Sequence, residues 1–140
     1  MKNEEDLTYE EEEVEHHAHV LCEETEDAPS LLGLVGDVNE EALQELSIGL
    51  IAANHHRILN VDPEDFEEIE DLEFFISSNG GSVGDMFAVY DLMTVVKRNR
   101  DICTYGFGKV SSAAVVLLAA GTKGKRFISP STRVMLHHCS

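Results

Sequence analysis

The sequence predicts an α/β domain built on a mostly parallel sheet. Short apolar runs of strand length alternate with longer stretches that carry apolar residues at helical spacing. Glycines, prolines and cap-type polar residues separate these runs. A chain of 140 residues with 43% apolar content also suffices for one real core. Strand–helix alternation of this kind calls for parallel neighbours joined by right-handed helical crossovers.

The elements follow in order. "LLGLVG" (Leu31–Gly36) is a short apolar strand stopped by glycine. "DVNEEALQELSIGLIAANHH" opens with cap-type residues and places Leu43, Leu46, Leu50 and Ala53 on one helical face. "DPEDFEEIED" is a polar, proline-marked connection, and "LEFFISS" (Leu72–Ser78) is the next strand. "NGGS" marks a turn before "VGDMFAVYDLMTVVKR", a helix with a broad apolar face. "ICTYGF" (Ile102–Phe107) is a third strand, and a helix runs from Ser112 to about Ala120. "KRFIS" and "TRVMLH" give two further strands around Pro130. No internal repeat is present.

Charge narrows the partners. With 27 acidic against 10 basic residues, the formal charge of −17 argues against a nucleic-acid backbone or an anionic membrane surface. No apolar run reaches the roughly 18–20 residues of a membrane span. The first residues are acidic where a signal peptide would be basic and then apolar. Cys22, Cys103 and Cys139 form neither a metal spacing nor a disulfide framework, so a reducing, cytoplasmic setting is expected. Twelve of the 27 carboxylates precede Pro29, so residues 1–28 read as a self-repelling tail and residues 29–140 as the domain. "HHAH" (His16, His17, His19) lies in that tail without the further ligands of a built metal site.

In such a sheet, function collects at the carboxyl ends of the strands. Asn79-Gly80-Gly81 follows one strand, where glycines leave backbone N–H groups open. Gly106-Phe107-Gly108 with Ser111-Ser112 follows another. The second segment fits neither a dinucleotide loop, nor a Walker A loop, nor the G-x-S-x-G elbow. A serine at a helix start remains, either as a plain cap or as a nucleophile. A nucleophile needs a base, and "RVMLHH" supplies His137 and His138 at a strand end.

Taken together, "FFISSNGGSV", "ICTYGFGKVSSAAVVLLAAGTKGKRF" and "SPSTRVMLH" resemble the ClpP family of Clp protease subunits, with similarity from about Leu31 to Cys139. The resemblance implies a ClpP/crotonase-like fold and a serine endopeptidase. It implies Ser112 as nucleophile, His137 as base, and the backbone N–H groups of Gly81 and Ala113 as the oxyanion hole. It also implies stacked homo-oligomeric rings, an ATP-driven AAA+ unfoldase partner, unfolded polypeptides as substrates, and no metal or organic cofactor.

The chain departs from the family pattern at several points. Asn79 replaces the family's proline, Ala113 its usual methionine and His138 its usual glutamine. About two residues are inserted near Arg98–Asp101. The family's third triad member, an aspartate, lies beyond the point corresponding to Ser140, so the expectation is a fold lacking its C-terminal part. His137 would then want a group to fix its tautomer. Two other readings use the same residues: an inactive ClpP-like subunit that regulates an active protease, and a crotonase-fold acyl-CoA enzyme.

Overall fold

The computed structural model describes residues 30–59 and 70–138. The acidic segment with its "HHAH" histidines, Cys22, Cys139 and most of the "DPEDFEEIED" connection lie outside the described residues. The elements are β1 (Leu31–Val35), α1 (Glu40–Leu59), β2 (Leu72–Ser78), α2 (Val83–Val96), β3 (Ile102–Ser111), α3 (Ala113–Ala119), β4 (Arg126–Ile128) and β5 (Arg133–Met135).

All strand pairs are parallel, in the order β1-β2-β3-β4, and β5 pairs with the far end of β3. The chain is therefore α/β with a parallel sheet, as the alternation of apolar runs predicts. Two-residue alternation along β2 sends Leu72, Phe74, Ile76 and Ser78 into the interior. They meet Leu46, Leu50 and Ala53 of α1, Met86, Val89 and Met93 of α2, and Leu117 of α3 in one core. Fully burying each large apolar side chain is worth about 1.5–3 kcal/mol. The opposite face of the sheet carries aromatics. Phe75 stacks on Tyr105 at 4.7 Å and Tyr105 on Phe127 at 5.2 Å.

Local chemistry sets the helix starts. Asn39 Oδ1 accepts the Ala42 N–H at 2.9 Å, and Ser82 Oγ accepts the Asp85 N–H at 3.2 Å, each satisfying one orphan donor. The first helix runs to Leu59, slightly beyond the His56 expected from the apolar pattern.

The third strand departs from expectation. It does not stop at Phe107 but continues to Ser111. Ile76 pairs with Gly106 and Ser78 with Val110, so two steps along β2 answer four along β3. The surplus residues bulge outward around Gly108, and the strand then resumes. A glycine that reads as a strand end is here a kink within one.

The N-terminal ends of three strands are tied by charge. Lys125 Nζ, just before β4, donates to Asp71 Oδ2 at 2.5 Å and to Asp101 Oδ2 at 2.9 Å. The hydrogen bond from Lys125 holds the Asp71 carboxyl below the usual carboxylate range, and the same bond raises the Lys125 ammonium above its ordinary value. Cys103 Sγ lies 3.4 Å from Asp71 Oδ2, and burial, aided by that carboxylate, pushes its thiol up. Buried Arg100 donates from Nε to the Glu70 carbonyl at 2.6 Å, so the segment between α2 and β3 is anchored to the fold.

Candidate active site

Ser112 lies in the turn between β3 and α3 at φ +56° and ψ −127°. Among the described residues it is the single non-glycine with positive φ. Such a conformation costs on the order of 1–3 kcal/mol and persists only where the surroundings over-determine it. Ser112 stands at the N-cap position, yet its hydroxyl makes no cap hydrogen bond. The commonest task for a serine at a helix start is thus not performed. Its neighbour Ser111 is 9% exposed as the last residue of β3.

Two contacts hold the turn. The Ser112 N–H donates to the Met135 carbonyl at 2.9 Å, joining the head of α3 to the end of β5. From below, the 79–81 turn lies against it. A Cβ on Gly80 would come within 2.7 Å of the Ser111 carbonyl oxygen and of Ser112 Cβ, and 3.0 Å from the Ala113 nitrogen. Gly80 also sits at φ +92°, so glycine is required there on both counts.

Gly81 is fixed by its neighbours. Val38 N–H donates to the Gly80 carbonyl and the Ser82 N–H donates to the Val38 carbonyl, both at 2.8 Å. This single parallel bridge occupies the groups on either side of Gly81 and leaves the Gly81 N–H without a partner among the described residues. Ala113 is the first residue of α3, so its N–H has no carbonyl one turn earlier within the helix. Open donors therefore stand on both of the segments that meet at Ser112.

His137 lies two residues beyond β5 rather than within it, and is exposed. Ser111 pairs with Met135 in register, which brings the Met135–His137 segment beside Ser112. No hydrogen bond joins Ser112 Oγ to His137; instead His137 Nδ1 meets the His138 carbonyl at 2.9 Å. A carbonyl only accepts, so Nδ1 is the donor in this contact, and Nε2 has no partner among the described residues. Among the described residues no carboxylate meets His137, and a backbone oxygen is the group on its Nδ1. His138, the other candidate base, contributes that backbone atom.

Residue types alone did not reveal Val38, Met135 or the His138 carbonyl, since all three act through the main chain. Gly80, the first glycine after Asn79, was the one available signal for the close approach. Among the described residues, no three His, Cys, Asp or Glu side chains come together as a metal site. No helix among them is long and apolar enough to cross a membrane.

With this geometry in view, the chain can be compared with known proteins. A family model described as Clp protease matches residues 51–140. The chain is 41% identical over 81 residues to ATP-dependent Clp protease proteolytic subunit 4, chloroplastic, of Arabidopsis thaliana. That match covers 58% of this chain and 26% of that protein, so the chain spans about a quarter of its curated relative. The crystal structure of the ClpP protease catalytic domain from Plasmodium falciparum superposes with a TM-score of 0.64 at 32% identity. It covers 77% of this chain and 55% of that one.

Proposed function

The chain belongs to the Clp protease family, and from that premise we propose that it is the nucleophile-bearing part of a serine endopeptidase. Ser112 is the nucleophile. As its Oγ attacks a peptide carbonyl, the free Nε2 of His137 takes the hydroxyl proton. The carbonyl oxygen becomes negative, and the Gly81 and Ala113 N–H groups stabilise it, each preorganised donor being worth about 3–4 kcal/mol in comparable sites. His137 then returns the proton to the leaving amine. No metal or organic cofactor enters these steps.

One observation carries the reading. Ser112 is held in a costly backbone conformation with its hydroxyl uncommitted, beside two open N–H donors. A structural cap would show neither feature. By family, the substrates are unfolded polypeptides, the assembly a stack of homo-oligomeric rings, and the partner an AAA+ unfoldase that consumes the ATP.

A serine-directed fluorophosphonate probe, together with hydrolysis of a short fluorogenic peptide, tests the reading. Ser112→Ala should abolish both labelling and turnover. Labelling of the Ser112→Ala protein at the wild-type level would overturn the assignment.

A further inference from the structure

Lys109 of β3 and Arg133 of β5 occupy the same register position on adjacent parallel strands. Neighbouring strands lie about 4.8 Å apart and paired residues point to the same face, so the two cations stand side by side. Like charges placed opposite one another across strands destabilise a sheet. Elsewhere in the fold such a cost is met by acids, as Asp71 and Asp101 meet Lys125. Lys109 and Arg133 are both exposed, and neither has an ion pair or hydrogen-bond partner among the described residues. A chain of net charge −17 thus keeps two unneutralised cations together. They stand three residues before Ser112 and four before His137.

We propose that Lys109 and Arg133 form a subsite for an acidic side chain of a peptide bound at Ser112. This inference rests on the peptidase reading for the location of the bound peptide. An extended peptide advances about 3.3 Å per residue, as β3 does, so a carboxylate about two to four residues from the reacting carbonyl would reach the pair. Arg133 can accept a carboxylate through two parallel N–H donors, and Lys109 adds a second charge. The pair acts on binding and not on the chemical step, because it lies away from the reacting atoms.

The test uses the full chain carrying Ser112→Ala, so that binding is read without turnover. Dye-labelled, otherwise uncharged peptides carrying one Glu, or Gln in its place, at successive positions are titrated by fluorescence anisotropy at low and high salt. The expected result is about tenfold tighter binding of Glu over Gln at one favoured position, weakening as salt screens the charges. In Lys109→Gln/Arg133→Gln the preference should fall below about twofold, and in Lys109→Glu/Arg133→Glu a Lys peptide should replace the Glu peptide as the better ligand. Thermal melts check that each variant folds. Equal binding of Glu and Gln peptides by the parent chain, or an acidic preference that survives both double variants, would overturn the subsite. Failure of the wild-type chain to label at Ser112 would instead overturn the peptidase reading. The two failures are distinguishable, since one is read by affinity and the other by covalent labelling.

Discussion

The backbone N–H of Ser112 donates to the carbonyl oxygen of Met135 at 2.9 Å, which ties the residue that opens α3 to the residue that ends β5. That bond is non-local in sequence and independent of side chains. It brings Ser112 against Met135, and His137 follows two residues beyond that anchor. Substituting the Met135 side chain should therefore leave the anchor itself in place. The sensitive positions are those whose side chains or lack of side chains shape the turn.

The two histidines should behave differently. His137→Gln removes the imidazole whose Nε2 is free, while His138→Ala keeps the backbone carbonyl that meets His137 Nδ1 at 2.9 Å. General-base catalysis contributes about 10²–10⁴-fold, so His137→Gln should slow peptide hydrolysis by at least about 10². His138→Ala should change it by no more than about threefold, because it deletes none of the proposed groups. The reverse order in a fluorogenic peptide assay would move the base to His138.

The neighbours of Ser112 separate site from scaffold. Ser111 is the buried final residue of β3, and Ser111→Ala should label with a fluorophosphonate probe at close to the wild-type rate. Gly80→Ala should not. Its φ of +92° alone makes a side chain cost about 1–3 kcal/mol, and the new Cβ presses on the Ser111 carbonyl and on Ser112. Urea unfolding and labelling measured on the same sample should both decline. A Gly80→Ala protein of wild-type stability and labelling rate would show that the turn does not lie against Ser112.

Core and surface substitutions should divide as burial divides them. Phe74 and Leu50 are fully buried between the sheet and the helices, whereas Ile48 of α1 is 59% exposed. Phe74→Ala should lower stability by about 3–5 kcal/mol and Leu50→Ala by about 2–5 kcal/mol. Ile48→Ala should stay within about 0.5 kcal/mol. Chemical denaturation of the three variants checks the ordering.

Much of this fold was legible because its strands are apolar and its punctuation is glycine. Leu72–Ser78 is delimited by acids on one side and Asn79-Gly80-Gly81 on the other, and the strand begins and ends there. Gly108 misled because a glycine inside a strand and a glycine after one look alike until the partner strand sets the register. Ser112 read equally well as a cap or a nucleophile, since its torsion is imposed by Gly80 and Met135, which lie far away along the chain. The partner of His137 Nδ1 left no mark on residue types, being a main-chain oxygen. The Lys125 clamp was equally hidden, because its two acids belong to two different strand entries.

That clamp gives the fold a defined response to acid. The Lys125 hydrogen bond holds Asp71 below its ordinary value of 3.8 in the folded chain, while the unfolded chain keeps that ordinary value. A carboxylate depressed by folding contributes stability that is present above its unfolded pKa and is lost as pH falls through the lower folded one. The loss therefore falls below about pH 4. Lys125 is raised by folding, so its share is fully present below its ordinary value of 10.5 and fades only above it. Between neutrality and the acid limb the clamp is intact, and Lys125→Met should leave Asp71 without the partner that depresses it. Urea midpoints measured from pH 7 down to pH 3 should then fall less steeply below pH 4 in Lys125→Met than in the wild type. Other carboxylates titrate in both proteins, so the difference between the curves isolates this pair. Both side chains are more than a third exposed, so salt at about 0.5 M should narrow the gap. Parallel curves at low salt would mean that the ties from Lys125 to the strand ends add nothing to stability in acid.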